Sequence, residues 1–112
     1  MAGKFEVFTG KNEKHYFKLK AGNGEVILAS QGYAAAKACA NGIESVRRNA
    51  VNAERFEVRK AADDSNYFVL KATNGQVIGK SQMYKTESGC TNGIASVQRN
   101  AADAKVVEAA GD

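Results

Sequence analysis

Few side chains in this 112-residue sequence are of types that perform chemistry, and their spacing narrows what that chemistry could be. His15 is the only histidine. It stands where a loop enters a strand, and the matching position in the second half of the chain is Asn66. No His, Cys, Asp or Glu set lies at a metal-ligand spacing around it, so no metal or cofactor is expected. No Ser–His–Asp arrangement recurs either, so no catalytic residue is assigned. Cys39 and Cys90 are the two cysteines, and both fall on the apolar stripe of a helix. A reactive thiol needs exposure and a neighbouring base or cation. On an apolar stripe a free cysteine serves as a small core hydrophobe. Gly22-x-Gly24 lies inside a hairpin, with strand continuing after it. A dinucleotide fingerprint needs its glycines between a strand and a helix, and no Walker-type run is present. Enzyme is therefore the poorest class.

Two sets of residues point instead to binding. Lys14, Lys18 and Lys20 cluster with Tyr16 and Phe17 around the first hairpin. A cationic sheet with exposed aromatics can stack single-stranded nucleic acid. The second half of the chain loses Lys14 and Lys18, and no RNP-type run is present, so nucleic acid is a weak alternative. The second set is a polar helix stripe. Asn41, Ser45 and Arg48 fall opposite Ile43 at steps of 100° per residue, and Asn92, Ser96 and Arg99 repeat them. Two identical polar stripes point to a shared task, and the reading is a protein-interaction or scaffold module with an unknown protein partner.

The elements that must position these residues come from a duplication. Shifted by 51 residues, the chain matches itself at 24 of 47 positions from 5–51 to 56–102 without a gap. Phe5-Glu6-Val7 recurs as Phe56-Glu57-Val58, and Asn23-Gly24-x-Val26-Ile27 as Asn74-Gly75-x-Val77-Ile78. The longest match runs from Cys39–Ala50 to Cys90–Ala101. Such self-similarity marks an internal repeat. In each unit Phe5 and Val7 alternate with a polar residue, which predicts a short strand. Residues 15–21 and 25–29 flank Asn23-Gly24, which predicts a hairpin with a type I′ turn. From Tyr33 to Ala50 the period becomes helical, with Ala36, Cys39, Ile43, Val46 and Ala50 on one side and Ser30 or a neighbour as a cap. Each unit reads β-β-β-α, and Lys105–Glu108 adds a final strand segment at 105–108. A 51-residue unit buries little surface alone and leaves an unpaired strand edge. One pseudo-symmetric domain, 1–112, relieves both problems.

The doubled pattern Phe-x-Leu-Lys-Ala-x-Asn-Gly-x-Val-Ile, Ser-x-x-Tyr and Asn-Gly-Ile-x-Ser-Val, over roughly residues 4–108, resembles the YegP-like family of small bacterial proteins. The resemblance implies an α+β fold in which two tandem β-β-β-α repeats form one antiparallel sheet with a pseudo-two-fold. Both helices would lie on one face, and terminal strands would be exchanged between repeats. It carries no catalytic or binding residue, because the family is uncharacterised.

Composition agrees with a small soluble domain: 44% hydrophobic, 25% charged, no Pro and no Trp. The net charge of +4 lies in the first half, where eight Lys/Arg face four Asp/Glu. No apolar run is long enough to span a membrane, and residues 1–6 lack a secretory h-region. A cytoplasmic protein with free thiols and no membrane partner is expected. The tandem repeat satisfies its own pseudo-dimer, which predicts a monomer. One helix flank is small throughout (Ala35, Ala38, Gly42, Ser45, Asn49), and Thr86, Gly89, Gly93, Ser96 and Asn100 repeat it. That stripe predicts helices side by side, closest near Gly42 and Gly93, with Tyr33/Tyr84 near the helix ends.

Overall fold

The computed structural model describes residues 3–108. Its elements are β1 (Lys4–Thr9), β2 (His15–Lys20), β3 (Val26–Ala29), α1 (Ala36–Ala50), β4 (Phe56–Lys60), β5 (Asn66–Lys71), β6 (Val77–Lys80), α2 (Glu87–Asp103) and β7 (Lys105–Glu108). Strands run across a single seven-stranded sheet in the order β4-β5-β6-β3-β2-β1-β7. The two repeats meet at β3 and β6, joined through one residue pair, Ala29↔Lys80. There Leu28 fills the space left by its counterpart Gly79, where an added Cβ would lie 2.7 Å from Leu28 Cδ2.

Both helices pack on one face. Phe5, Phe17 and Leu19 from the first repeat and Phe68 and Leu70 from the second are fully buried beneath Cys39, Ile43, Val46, Cys90 and Val97. Alternation along β2 and β5 puts Tyr16, Lys18 and Lys20, and Tyr67, Val69 and Lys71, on the opposite face. β3 carries a bulge: Leu19 pairs with Leu28 and Lys20 with Val26, which leaves Ile27 extra. The bulge lets the consecutive residues Ile27 and Leu28 both be buried.

The hairpins form where the Asn-Gly pairs predict them, with a different turn. In the 21–25 turn, Gly24 N–H donates to Ala21 C=O (2.9 Å) and Ala21 N–H to Glu25 C=O (2.9 Å). Gly24 has a positive φ (86°) and Asn23 does not, so this is not type I′. Asn23 acts instead through its side chain, whose Oδ1 accepts the Glu25 N–H at 3.0 Å. The same bond recurs at Asn12, Asp63 and Asn74. Glu13 and Asp64 take the left-handed place that Gly24 and Gly75 hold. One turn design therefore serves all four hairpins, with the Asx side chain selected for its local hydrogen bond.

Helix α1 starts at Ala36, and the residue before it, Ala35, makes no side-chain cap bond. Ser30 is not the cap: its Oγ accepts the Phe17 N–H (2.9 Å) and donates to Gln31 C=O (2.8 Å). Ala36 is exposed, so the buried stripe begins one turn later at Cys39. In α2 the equivalent of Ala35 is Thr86, whose Oγ1 accepts the Gly89 N–H at 3.0 Å. Duplication thus supplies its own control. Ala35→Thr should raise stability by about 1 kcal/mol, the usual value of an N-cap. A denaturant midpoint no higher than the parent's would show that α1 lacks the geometry to use it.

The pseudo-symmetry breaks at the sheet's ends. After α2 the chain enters β7, which pairs with β1 of the other repeat, the exchange implied for terminal strands. Every other pairing is antiparallel, whereas β7 runs parallel to β1 and so opposite to β6, the strand that precedes α2. After α1 the equivalent residues cannot do the same. They pass through a 3-10 turn, Ala53–Arg55, directly into β4, which pairs only with its own β5. The exchange is one-sided, and no described strand lies beside β4.

The glycines at 42 and 93 have a different neighbour from the one the small stripe predicts. A Cβ on Gly42 would meet Tyr33 Oη at 2.5 Å and Phe17 Cε2 at 3.1 Å. On Gly93 it would meet Tyr84 Oη at 2.5 Å and Phe68 Cε2 at 2.9 Å. The helices do touch, but each glycine is small to admit its own repeat's tyrosine, not the other helix. Tyr33 stacks on Phe17 and Tyr84 on Phe68, each at 6.3 Å between ring centres. The tyrosines therefore lie against mid-helix, not at helix ends. Burial pushes both phenols above their ordinary pKa.

Candidate functional site

The polar stripes of the two helices open into two equivalent clefts. The first, of about 440 Å³, is lined by Ser45, Arg48 and Asn49 of α1, by Arg55, and by Ala72 and Thr73 of the β5–β6 turn. In the second, of about 640 Å³, Ser96, Arg99, Asn100 and Asp103 of α2 face Ala21–Asn23 of the β2–β3 turn. Each cleft thus combines the helix of one repeat with the hairpin of the other. It exists only because the repeats share one sheet.

Within each cleft a short polar unit is repeated bond for bond. Asn49 Nδ2 donates to Ser45 C=O at 2.8 Å and to Ser45 Oγ at 3.2 Å. Asn100 donates to Ser96 C=O and Oγ at the same two distances. These bonds hold the asparagine against its helix and leave Oδ1 as an acceptor. Arg48 and Arg99 are exposed, and neither has an acidic partner within 4 Å among the described residues. A guanidinium in that state offers a fork of donors suited to a carboxylate or phosphate. The clefts differ in charge. The first holds Arg48 and Arg55 with no acid in its lining, whereas Asp103 offsets Arg99 in the second.

Of the residues singled out from sequence, Ser45 and Arg48 meet in one cleft and Ser96 and Arg99 in the other. Asn41 and Asn92 are exposed but lie outside both linings. Asn49, Asn100 and Arg55 also line the clefts, and the polar stripe read from helical spacing does not include them. The repeated asparagine was the available signal, but in sequence it belonged to the small-residue stripe. Lys14, Lys18 and Lys20 do not form one surface of free cations. Lys20 Nζ pairs with Glu6 at 3.2 Å, and Lys18 Nζ lies 4.8 Å from the Phe8 ring centre. Lys14 is exposed at the hairpin end.

Cys39 and Cys90 are buried, and burial raises both thiols above their usual pKa, which opposes thiolate formation. His15 contributes its backbone, exchanging hydrogen bonds with Tyr33 at 2.7 and 2.8 Å. Among the described residues no three His, Cys, Asp or Glu side chains stand together as a metal site. Nor is any described helix long and apolar enough to cross a membrane.

Known proteins resemble this chain in sequence and in fold. The chain is 47% identical over 108 residues to a UPF0339 protein encoded in the ptx operon 5′ region of Stutzerimonas stutzeri, covering 96% of this chain and 97% of that one. It is 47% identical over 100 residues to the UPF0339 protein YegP of Escherichia coli, covering 89% and 91%. The solution NMR structure of the E. coli yegP protein, described as of unknown function, superimposes with a TM-score of 0.93 at 44% identity, over 100% of this chain and 97% of that one. That of the UPF0339 protein SO3888 from Shewanella oneidensis gives 0.90 at 42% identity, over 96% and 92%. A family model described as a domain of unknown function, DUF1508, matches twice, at residues 11–57 and 61–108. With two copies of that domain folded into one sheet, the chain belongs to the DUF1508 family.

Proposed function

We propose that the protein is a non-enzymatic interaction module that grips acidic groups of a protein partner in its helix–hairpin clefts, the first cleft being the stronger. The observation that supports this is the duplicated Ser–Arg–Asn unit. Its arginines have no acidic partner within 4 Å among the described residues, and its asparagines are fixed by bonds identical in both repeats. A partner carboxylate would take the Arg48 fork, with Arg55 adding a second positive charge, while the Asn49 Oδ1 and Ser45 Oγ read adjacent donors. The pseudo-two-fold makes the module bivalent, which would raise the avidity for a partner bearing two acidic segments.

The test compares crosslinking capture from bacterial lysate by the parent and by Arg48→Ala/Arg99→Ala. Both arginines are exposed, so the unfolding midpoint should not move, while the captured proteins should be lost. Proteins captured equally by both would place the binding surface elsewhere. Titration with single-stranded DNA and RNA at low salt separates the runner-up. Nucleic-acid binding through Lys14 and Lys18 would appear there and fall steeply as salt rises.

A further inference from the structure

The internal repeat makes the outer edge of β4 comparable, residue by residue, with that of β1. Beside β1 lies β7, in the parallel register Phe5↔Val106 and Val7↔Glu108. Beside β4 no described strand lies. The apolar residues record the difference. Phe5 is fully buried and Val7 half-buried, whereas their counterparts Phe56 and Val58 are half-buried and 45% exposed.

The backbone at this edge is oriented to pair. Asn66 exchanges both its main-chain hydrogen bonds with Tyr84, on the side away from β4. Its partner Lys60 therefore turns N–H and C=O off the sheet. By alternation so does Val58, whereas Phe56 offers only its C=O, because its N–H already donates to Ala53 C=O.

A β7-like parallel strand is not what this edge is equipped for. On the occupied side, Arg47 of α1 donates to Ala104 C=O at 2.7 Å, just before β7, and its guanidinium lies 5.3 Å from the Phe5 ring centre. The repeat-two counterpart of Arg47 is Gln98, which carries no guanidinium to seat an incoming chain over Phe56. The order Glu57-Val58-Arg59 is instead complementary to itself when reversed.

We propose that β4 is a homodimer edge, on which two copies of this chain pair antiparallel about Val58. The two-fold sets Val58 against its copy as a hydrogen-bonded pair and Phe56 against Lys60 of the partner subunit. Glu57 then faces Arg59 of the partner subunit in the non-hydrogen-bonded position, where side chains approach most closely. Within one chain Arg59 Nε already donates to Glu57 at 2.6 Å, and Lys71 pairs with the same carboxylate. The two copies would join these into one alternating network. A two-fold contact of this kind closes on itself and goes no further.

Sedimentation equilibrium from micromolar to millimolar protein tests this, with a mass rising from one chain toward two. Val58→Pro removes an outward N–H that the fold does not use, a change tolerated on edge strands. It should stay folded and remain a single chain. Glu57→Arg and Arg59→Glu should each weaken association at least tenfold, and the combined Glu57→Arg/Arg59→Glu variant should restore it. One-chain mass at millimolar protein would overturn the proposal, as would dimerisation of Val58→Pro equal to the parent's. So would β4 amide shifts on adding a synthetic peptide of residues 104–108 to a protein that stays monomeric, which would identify a parallel foreign strand as the occupant.

Discussion

Replacing Gly42 or Gly93 with alanine is expected to lower stability by roughly 1–3 kcal/mol each, the range for overpacking a filled core. The added methyl would sit 2.5 Å from the hydroxyl oxygen of Tyr33 or Tyr84 and 2.9 Å from its Cζ. Neither ring can move away freely. Each is stacked against a fully buried phenylalanine, and the main chain of Tyr33 and Tyr84 is pinned by paired hydrogen bonds to His15 and Asn66. On an isolated helix the same change would stabilise, since alanine is the better helix former by about 1 kcal/mol. The sign of the effect therefore reports the tyrosine. Tyr33→Phe in the Gly42→Ala background should recover part of the loss, because it removes the nearest atom and leaves Cζ too close. A double-mutant cycle by urea unfolding measures that coupling. Additive effects would mean that the ring and the glycine do not share the space.

Ser81→Ala is expected to cost about 1–3 kcal/mol, the penalty for leaving a buried donor without a partner. Ser81 is 6% exposed, and its Oγ accepts the Phe68 N–H at 2.9 Å while donating to Gln82 C=O at 2.8 Å. Phe68 itself is fully buried, so its amide would have no water to turn to. Ser30→Ala removes the same pair of bonds from a partly buried site and should cost less, because water can enter. Hydrogen exchange at the Phe68 amide checks the mechanism independently of the global unfolding energy. Protection there unchanged in Ser81→Ala would show that another acceptor serves this amide.

Both predictions concern motif residues that the repeat made visible without showing what they do. Ser30-Gln31-x-Tyr33 and Asn41-Gly42-Ile43 stand out because they recur 51 residues later. Sequence context suggested a helix cap for Ser30 and a helix–helix contact for Gly42. Each residue in fact acts on a partner outside its own element, Ser30 on Phe17 of β2 and Gly42 on Tyr33 ahead of α1. The clefts follow the same rule. Arg48 and Ser45 were recognisable as one polar stripe from their helical spacing, whereas Ala72 and Thr73 complete the cleft from the other repeat. No local pattern links those two segments.

Legible in the sequence are the duplication, the order of strands and helices, and the two Asn-Gly hairpins. So is the buried stripe through Cys39, Ile43 and Val46. All of these rest on short-range regularities: a period of two or 3.6, an Asx residue at a turn, one segment repeated after another. Only the packed chain shows that β7 pairs parallel with β1, that Arg47 has a role Gln98 lacks, and that no described strand lies beside β4. The physical reason is chain connectivity. The residues after α2 are free to lie beside the other repeat's first strand. Those after α1 must themselves become the first strand of the second repeat. One segment cannot occupy two neighbouring places in the same sheet, so two nearly identical sequences end in unequal surroundings.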